Sequence, residues 1–127
     1  MGNDSYERQK RDGAVSEIFV FGSNLAGRHG KGAALHAKKH FGAVYGQAEG
    51  LQGNSYAIPT KDERLRSLPL ENVRRHAAIF LAFAHQNPSM VFRMTAIGCG
   101  LAGYKPEQIA PFFDEASANV ILPAEFK

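Results

Sequence analysis

Twice in this chain a short run of β-branched and aromatic residues breaks into glycines and then enters a helical pattern. The first run is EIFVFGSN, residues 17 to 24, followed by LAGRHGKGAALHAKKHFG. The second is VFRMTAI, residues 91 to 97, followed by GCGLAGYKPEQ. Apolar runs this short, cut off by turn residues, suit buried strands better than helices. A strand that feeds a helix before the next strand implies a crossover, so the sheet is largely parallel and covered on both faces. The expected architecture is α/β: a three-layer α/β/α sandwich around a mixed, largely parallel central sheet.

The remaining elements fit that frame. From Gly32, Ala34, Ala37 and Phe41 share one helical face, Gly42 supplies a stop, and Lys38, Lys39 and His40 sit in the last turn, where the helix dipole favours positive charge. GQAEGLQGNSYAIPT contains two glycines around a turn and predicts a short hairpin ending at Pro59. After the polar loop KDERLRS, Pro69 opens the first turn of a second helix. Val73, Ala77, Phe80, Leu81 and Ala84 form its apolar stripe, and Asn87-Pro88 ends it. Pro106 and Glu107 start a third helical turn, which Pro111 interrupts, so a new helix is expected from about Pro111. NVILP, residues 119 to 123, reads as a last strand.

At 127 residues the chain is expected to form one domain, residues 17 to 127, preceded by a polar arm at residues 1 to 16. That arm has no apolar segment resembling a secretory leader, and no apolar run reaches the roughly 20 residues that cross a bilayer. A single cysteine rules out an intramolecular disulfide and fits a reducing cytoplasm. A net charge of +3, spread along the chain, suits an anionic ligand as readily as it suits solvated helix faces.

Both glycine clusters fall after strands and before helices, the edge where open α/β sheets bind ligands. There the backbone approaches a ligand closely and a helix N-terminus offers free N–H groups to an anion. GRHGKG is neither a Walker P-loop nor a G-x-G-x-x-G dinucleotide fingerprint. Within the first loop, His29 titrates near neutrality and is a candidate for ligand contact or acid–base work, against the alternative of a solvent-exposed loop histidine. Arg28 and Lys31 flank it and suit phosphate. Lys61, at the end of SYAIPT, suits phosphate or attack on an aldehyde, against an ordinary loop lysine. Cys99 is read as small rather than reactive. The histidines are read as lacking the paired spacing of a zinc site, so no metal is expected, and no cofactor is called for.

The succession of GSN, the glycine loop entering GAALHAKKHFG, then SYAIPTK and TAIGCGLAGY resembles a macro domain over about residues 17 to 123. It is most similar to the branch of terminal ADP-ribose protein glycohydrolase and its chromatin-remodeller relatives, and to phage and bacterial macro-like proteins. The resemblance implies a cleft above the sheet that binds ADP-ribose. Asn24 then faces the distal ribose, and Gly30, Lys31, Gly32 and Ala33 lie beside that ribose and the diphosphate. Gly98, Cys99, Gly100, Leu101, Ala102, Gly103 and Tyr104 form the second phosphate loop, and Lys61 matches a lysine that reacts with the sugar. Gly22, Ser23, Gly27, Arg28, His29 and Thr60 complete the candidate ligand site.

Two departures accompany this resemblance. The catalytic aspartate after Ile-Gly-Cys-Gly-Leu is Ala102 here, so the glycohydrolase mechanism does not carry over. By the same resemblance, a polar arm is expected where macro domains have a first strand and an acidic residue that reads adenine. The implied partner is a small-molecule nucleotide or an ADP-ribosylated macromolecule. The ligand is either hydrolysed or only sensed, and nucleic-acid binding ranks below both.

Overall fold

The computed structural model describes residues 16–127; the expected N-terminal arm lies outside these residues apart from Ser16. The described chain runs β1 (Ser16–Asn24), α1 (Gly32–His40), β2 (Gly50–Gln52), β3 (Ser55–Lys61), α2 (Leu70–Gln86), β4 (Met90–Met94), α3 (Pro106–Ile109) and β5 (Val120–Ile121). Single 3₁₀ turns follow at Ala110–Phe113 and Ala124–Phe126. The strands form one sheet in the order β2-β3-β1-β4-β5. β1 pairs parallel with β3 and β4, β4 parallel with β5, and only the β2–β3 hairpin is antiparallel.

Alternation along the central strands separates the layers. On β1, Ile18 and Val20 join Tyr56 and Ile58 of β3 in the larger core, under Val73, Ala77, Phe80 and Ala84 of α2. Ile109, Phe113 and Phe126 from the C-terminal turns close the same side. The opposite register, Phe21 with Ala57, packs on Ala34, Ala37 and Ala43, with Phe19 beside them. Small residues on α1 let that helix lie close to the sheet, and Phe41 stacks on Phe19 at 4.6 Å. The larger core is aromatic: Phe80 meets Tyr56 at 4.9 Å and Phe92 at 5.4 Å. Truncating a buried phenylalanine of this kind costs about 3–5 kcal/mol.

The three-layer, largely parallel architecture is therefore as expected, with four local differences. β3 continues through Pro59 to Lys61. It can do so because β2 reaches only to the partner of Ala57, so the missing N–H falls where one side of β3 carries no ladder. β4 stops at Met94, although Thr95 N still donates to Val20 O before the chain turns. The helix expected from Pro111 is one 3₁₀ turn, since β5 follows too soon to leave length for more. The final strand is likewise shorter than NVILP, because Asn119 is used differently. Its buried amide donates toward Ala84 O, Asn87 O and Met90 O and so caps the C-terminal end of α2.

Candidate functional site

Above the carboxyl ends of β1, β3 and β4 lies a cleft of about 590 Å³, within the usual range for small-molecule sites. The end of β1 supplies Gly22, Ser23 and Asn24; the first glycine loop supplies Arg28, Gly30 and Lys31; the start of α1 supplies Gly32, Ala33 and Ala34. β3 ends in the cleft with Thr60 and Lys61, and β4 leads into it through Thr95, Ala96, Ile97, Gly98, Gly100, Leu101 and Ala102. Tyr45 and Leu65 complete the lining.

The first loop is held rigidly by its own side chains. Asn24 clamps it in both directions: its amide donates to Arg28 O at 2.8 Å and its Oδ1 accepts from Arg28 N at 2.9 Å. Gly27 has φ +71, and a Cβ there would stand 2.4 Å from the Gly46 carbonyl carbon, so only glycine permits this approach. Gly46 N donates to Gly27 O across the same contact.

His29 explains why the loop turns inward. It is 0% exposed and does not line the cleft. Its Nε2 lies 3.2 Å from both Gln47 O and Gln52 Oε1. Because Gln52 Oε1 already accepts from Val44 N, both neighbours are acceptors, and Nε2 must carry the proton. Nδ1 is buried with no hydrogen-bond partner among the described residues, and the ring edge meets Phe21 at 5.2 Å. Neither sequence alternative for His29 describes this position: the ring is a packed anchor that ties the first loop to residues 47–52.

The second loop is clasped to the segment after β3. Ser67 Oγ donates to Ala102 O, and the Tyr104 hydroxyl donates to Leu68 O. Tyr104 is thereby occupied away from the cleft, as are Gly27, Cys99 and Gly103, none of which lines it. Burial pushes the Cys99 thiol above its ordinary range, with the Glu125 and Glu107 carboxylates acting in the same direction, so no thiolate is favoured there.

Charge in the cleft has one sign. Among the described residues, Arg28, Lys31 and Lys61 line it and no aspartate or glutamate does. The first intrahelical bond of α1 comes from Leu35 N to Lys31 O, so the amides of residues 32–34 have no partner within the helix. With no acidic side chain in that first turn, the positive end of the dipole faces the cleft uncompensated.

Six lining residues were not picked out as site residues in the sequence: Ala34, Tyr45, Leu65, Thr95, Ala96 and Ile97. Tyr45 follows the α1 stop, in a stretch without regular pattern. Leu65 has φ +64, unusual for a branched side chain. Asp62 holds its turn by accepting from Arg64 N at 2.8 Å and Arg66 N at 2.9 Å. The Arg66 amide is the main reason the Asp62 carboxyl lies below its ordinary value. Ala34 lines the cleft only through its place at the helix start. A further correction concerns metals. His36 and His40 stand one turn apart on α1, with ring centroids 4.7 Å apart, so the paired spacing is present. Among the described residues no third histidine, cysteine, aspartate or glutamate joins them.

The architecture with a cleft at this edge is that of a macrodomain. No family model matches the chain, and no curated protein matches it in sequence. Solved structures do match in fold. Thermosipho africanus DarTG, in complex with ADP-ribose, aligns with TM-score 0.63 at 17% identity over 88% of this chain, which spans 39% of that one. The macrodomain of Mycobacterium tuberculosis DarG aligns with TM-score 0.63 at 19% identity, covering 86% of this chain and 88% of that one. A Bacteroides thetaiotaomicron protein of unknown function aligns with TM-score 0.60 at 18% identity, over 85% and 87% of the two chains. At these identities the likeness establishes the fold. Among the described residues no helix is long and apolar enough to cross a membrane.

Proposed function

We propose that the cleft binds ADP-ribose or a related nucleotide or ribose phosphate, free or carried on a macromolecule. The observation that carries this reading is the lining itself: three cations, an uncompensated helix N-terminus and, among the described residues, no carboxylate, between two glycine-bearing loops. Phosphate oxygens are the natural complement of such a site, because charge-assisted hydrogen bonds to guanidinium, ammonium and backbone N–H are the strong ones. The macrodomain fold, and the presence of ADP-ribose in the DarTG structure, support the same ligand class.

Binding without turnover is the better supported of the two outcomes. Ala102 stands where the resembling glycohydrolase has its catalytic aspartate, and the buried ring of His29 lies off the cleft. General acid–base work requires a group within hydrogen-bond reach of the reacting atoms, and the lining offers only Lys61 and the Tyr45 phenol besides the other cations. Calorimetry with ADP-ribose tests the reading. Wild type is expected to bind, and Lys61→Ala to bind about tenfold to a hundredfold more weakly, the range for one lost charged hydrogen bond. Absence of heat and of any thermal shift with wild type contradicts it. Incubation with ADP-ribosylated protein then separates sensing from hydrolysis: retained label supports sensing, and released label supports hydrolysis.

A further inference from the structure

The neutral polar side chains of the cleft floor are turned onto the protein's own backbone. Ser23 Oγ donates to Ala48 O, Thr60 Oγ1 to Ser23 O at 3.3 Å, and Thr95 Oγ1 to Val20 O at 2.8 Å. Asn24 is committed to both backbone groups of Arg28. Among the described residues the lining holds no carboxylate, and two kinds of side chain in it are left uncommitted to the protein itself. One kind is the cations Arg28, Lys31 and Lys61, which recognise phosphate. The other is an apolar rim.

That rim has three members from three separate segments. Tyr45 is 58% exposed, Leu65 42% and Leu101 65%, and all three line the cleft. Leu101 reaches across to α1, since a Cβ at Gly32 would meet its Cδ1 at 3.8 Å. Leu65 is held in the left-handed region by the Asp62 turn, a conformation that strains a non-glycine residue. A leucine kept exposed and strained at a cleft mouth is better suited to a ligand than to the fold. Among the described residues, the one neutral polar side-chain group on the rim is the Tyr45 hydroxyl. Phenols both donate and accept, so this group does not discriminate between base edges.

Resting on the reading of the cleft as a nucleotide-class anion site, we propose that it recognises phosphate while grasping the base by contact alone. Tyr45, Leu65 and Leu101 pack on the ring without reading its hydrogen-bonding edge. The ligand class is then nucleoside diphosphates and their sugar derivatives whatever the base. Aromatic stacking and apolar burial tolerate every base, because every base has a π-face.

The test is calorimetry with ADP, GDP, UDP, CDP, inorganic pyrophosphate and ADP-ribose, on wild type and on Leu65→Ala and Tyr45→Ala. The two variants replace exposed side chains, and a thermal melt checks their folding. The four nucleotides are expected to bind within about threefold of one another, and pyrophosphate at least about tenfold more weakly. Each variant is expected to weaken all four nucleotides by a common factor of about threefold to tenfold and to leave pyrophosphate unchanged. ADP-ribose binding together with a preference of tenfold or more for one base overturns the proposal alone. So do variants that leave nucleotide binding unchanged. Failure of every ligand, ADP-ribose included, overturns the nucleotide reading and this inference with it.

Discussion

The two glycine loops carry the same signal in the sequence and are built in different ways. The first is a packed structure whose glycine is required by contact: Gly27 lies against Gly46, Asn24 clamps Arg28, and His29 anchors the loop from beneath. The second is held from outside, by Ser67 on Ala102 O and by the Tyr104 hydroxyl on Leu68 O. Each loop also carries a glycine whose added Cβ would meet nothing within 4 Å, Gly30 in the first and Gly100 in the second, and both line the cleft. Glycine therefore marks two separate features here: close packing at Gly27, and open space in the proposed ligand cleft at Gly30 and Gly100.

Substitutions separate the two features. The largest effect is expected for Gly27→Ala, which combines a positive φ with a backbone clash. Denaturant unfolding should show a loss of about 3 kcal/mol or more, and an unchanged midpoint would break the contrast. Next, His29→Leu should cost about 1–2 kcal/mol through the lost hydrogen bonds to Gln47 and Gln52, while ADP-ribose affinity stays close to wild type. A selective loss of affinity at unchanged stability would return His29 to the ligand site. Gly100→Ala should leave stability within about 0.5 kcal/mol but weaken ADP-ribose binding, since the new methyl enters the space assigned to the ligand.

The smallest effect concerns pH. The folded-state pKa of Asp62 is lowered, chiefly by the Arg66 amide, so its contribution is present above the unfolded value near 3.9 and fades as pH falls through the depressed one. Asp62→Ala should remove that acid-limb dependence of the melting temperature. An identical acid limb in the variant would show that the Leu65 turn does not depend on this carboxylate.

The strand–glycine–helix order was legible because short apolar runs and period-3.6 patterns depend on neighbouring residues. Phe21 and Val20 face opposite layers, as alternation requires. The location of His29 was not legible, because its partners Gln47 and Gln52 lie 18 and 23 residues away and only the hairpin brings them close. Leu65 was hidden for a similar reason. KDERLRS has the composition of a solvated loop, and a left-handed leucine leaves no compositional trace. Pro59 looked like a strand end because a proline usually is one, and only the short span of β2 shows why it is tolerated.

The proposed function places an anion of the ADP-ribose class between the two loops. Backbone amide chemical shifts recorded while ADP-ribose is titrated into the protein test it most directly. Saturable shifts confined to residues 22–34, 60–61 and 95–102, with the outer face of α2 unmoved, are the predicted result. No shifts at saturating ligand, or shifts grouped away from both loops, would contradict it.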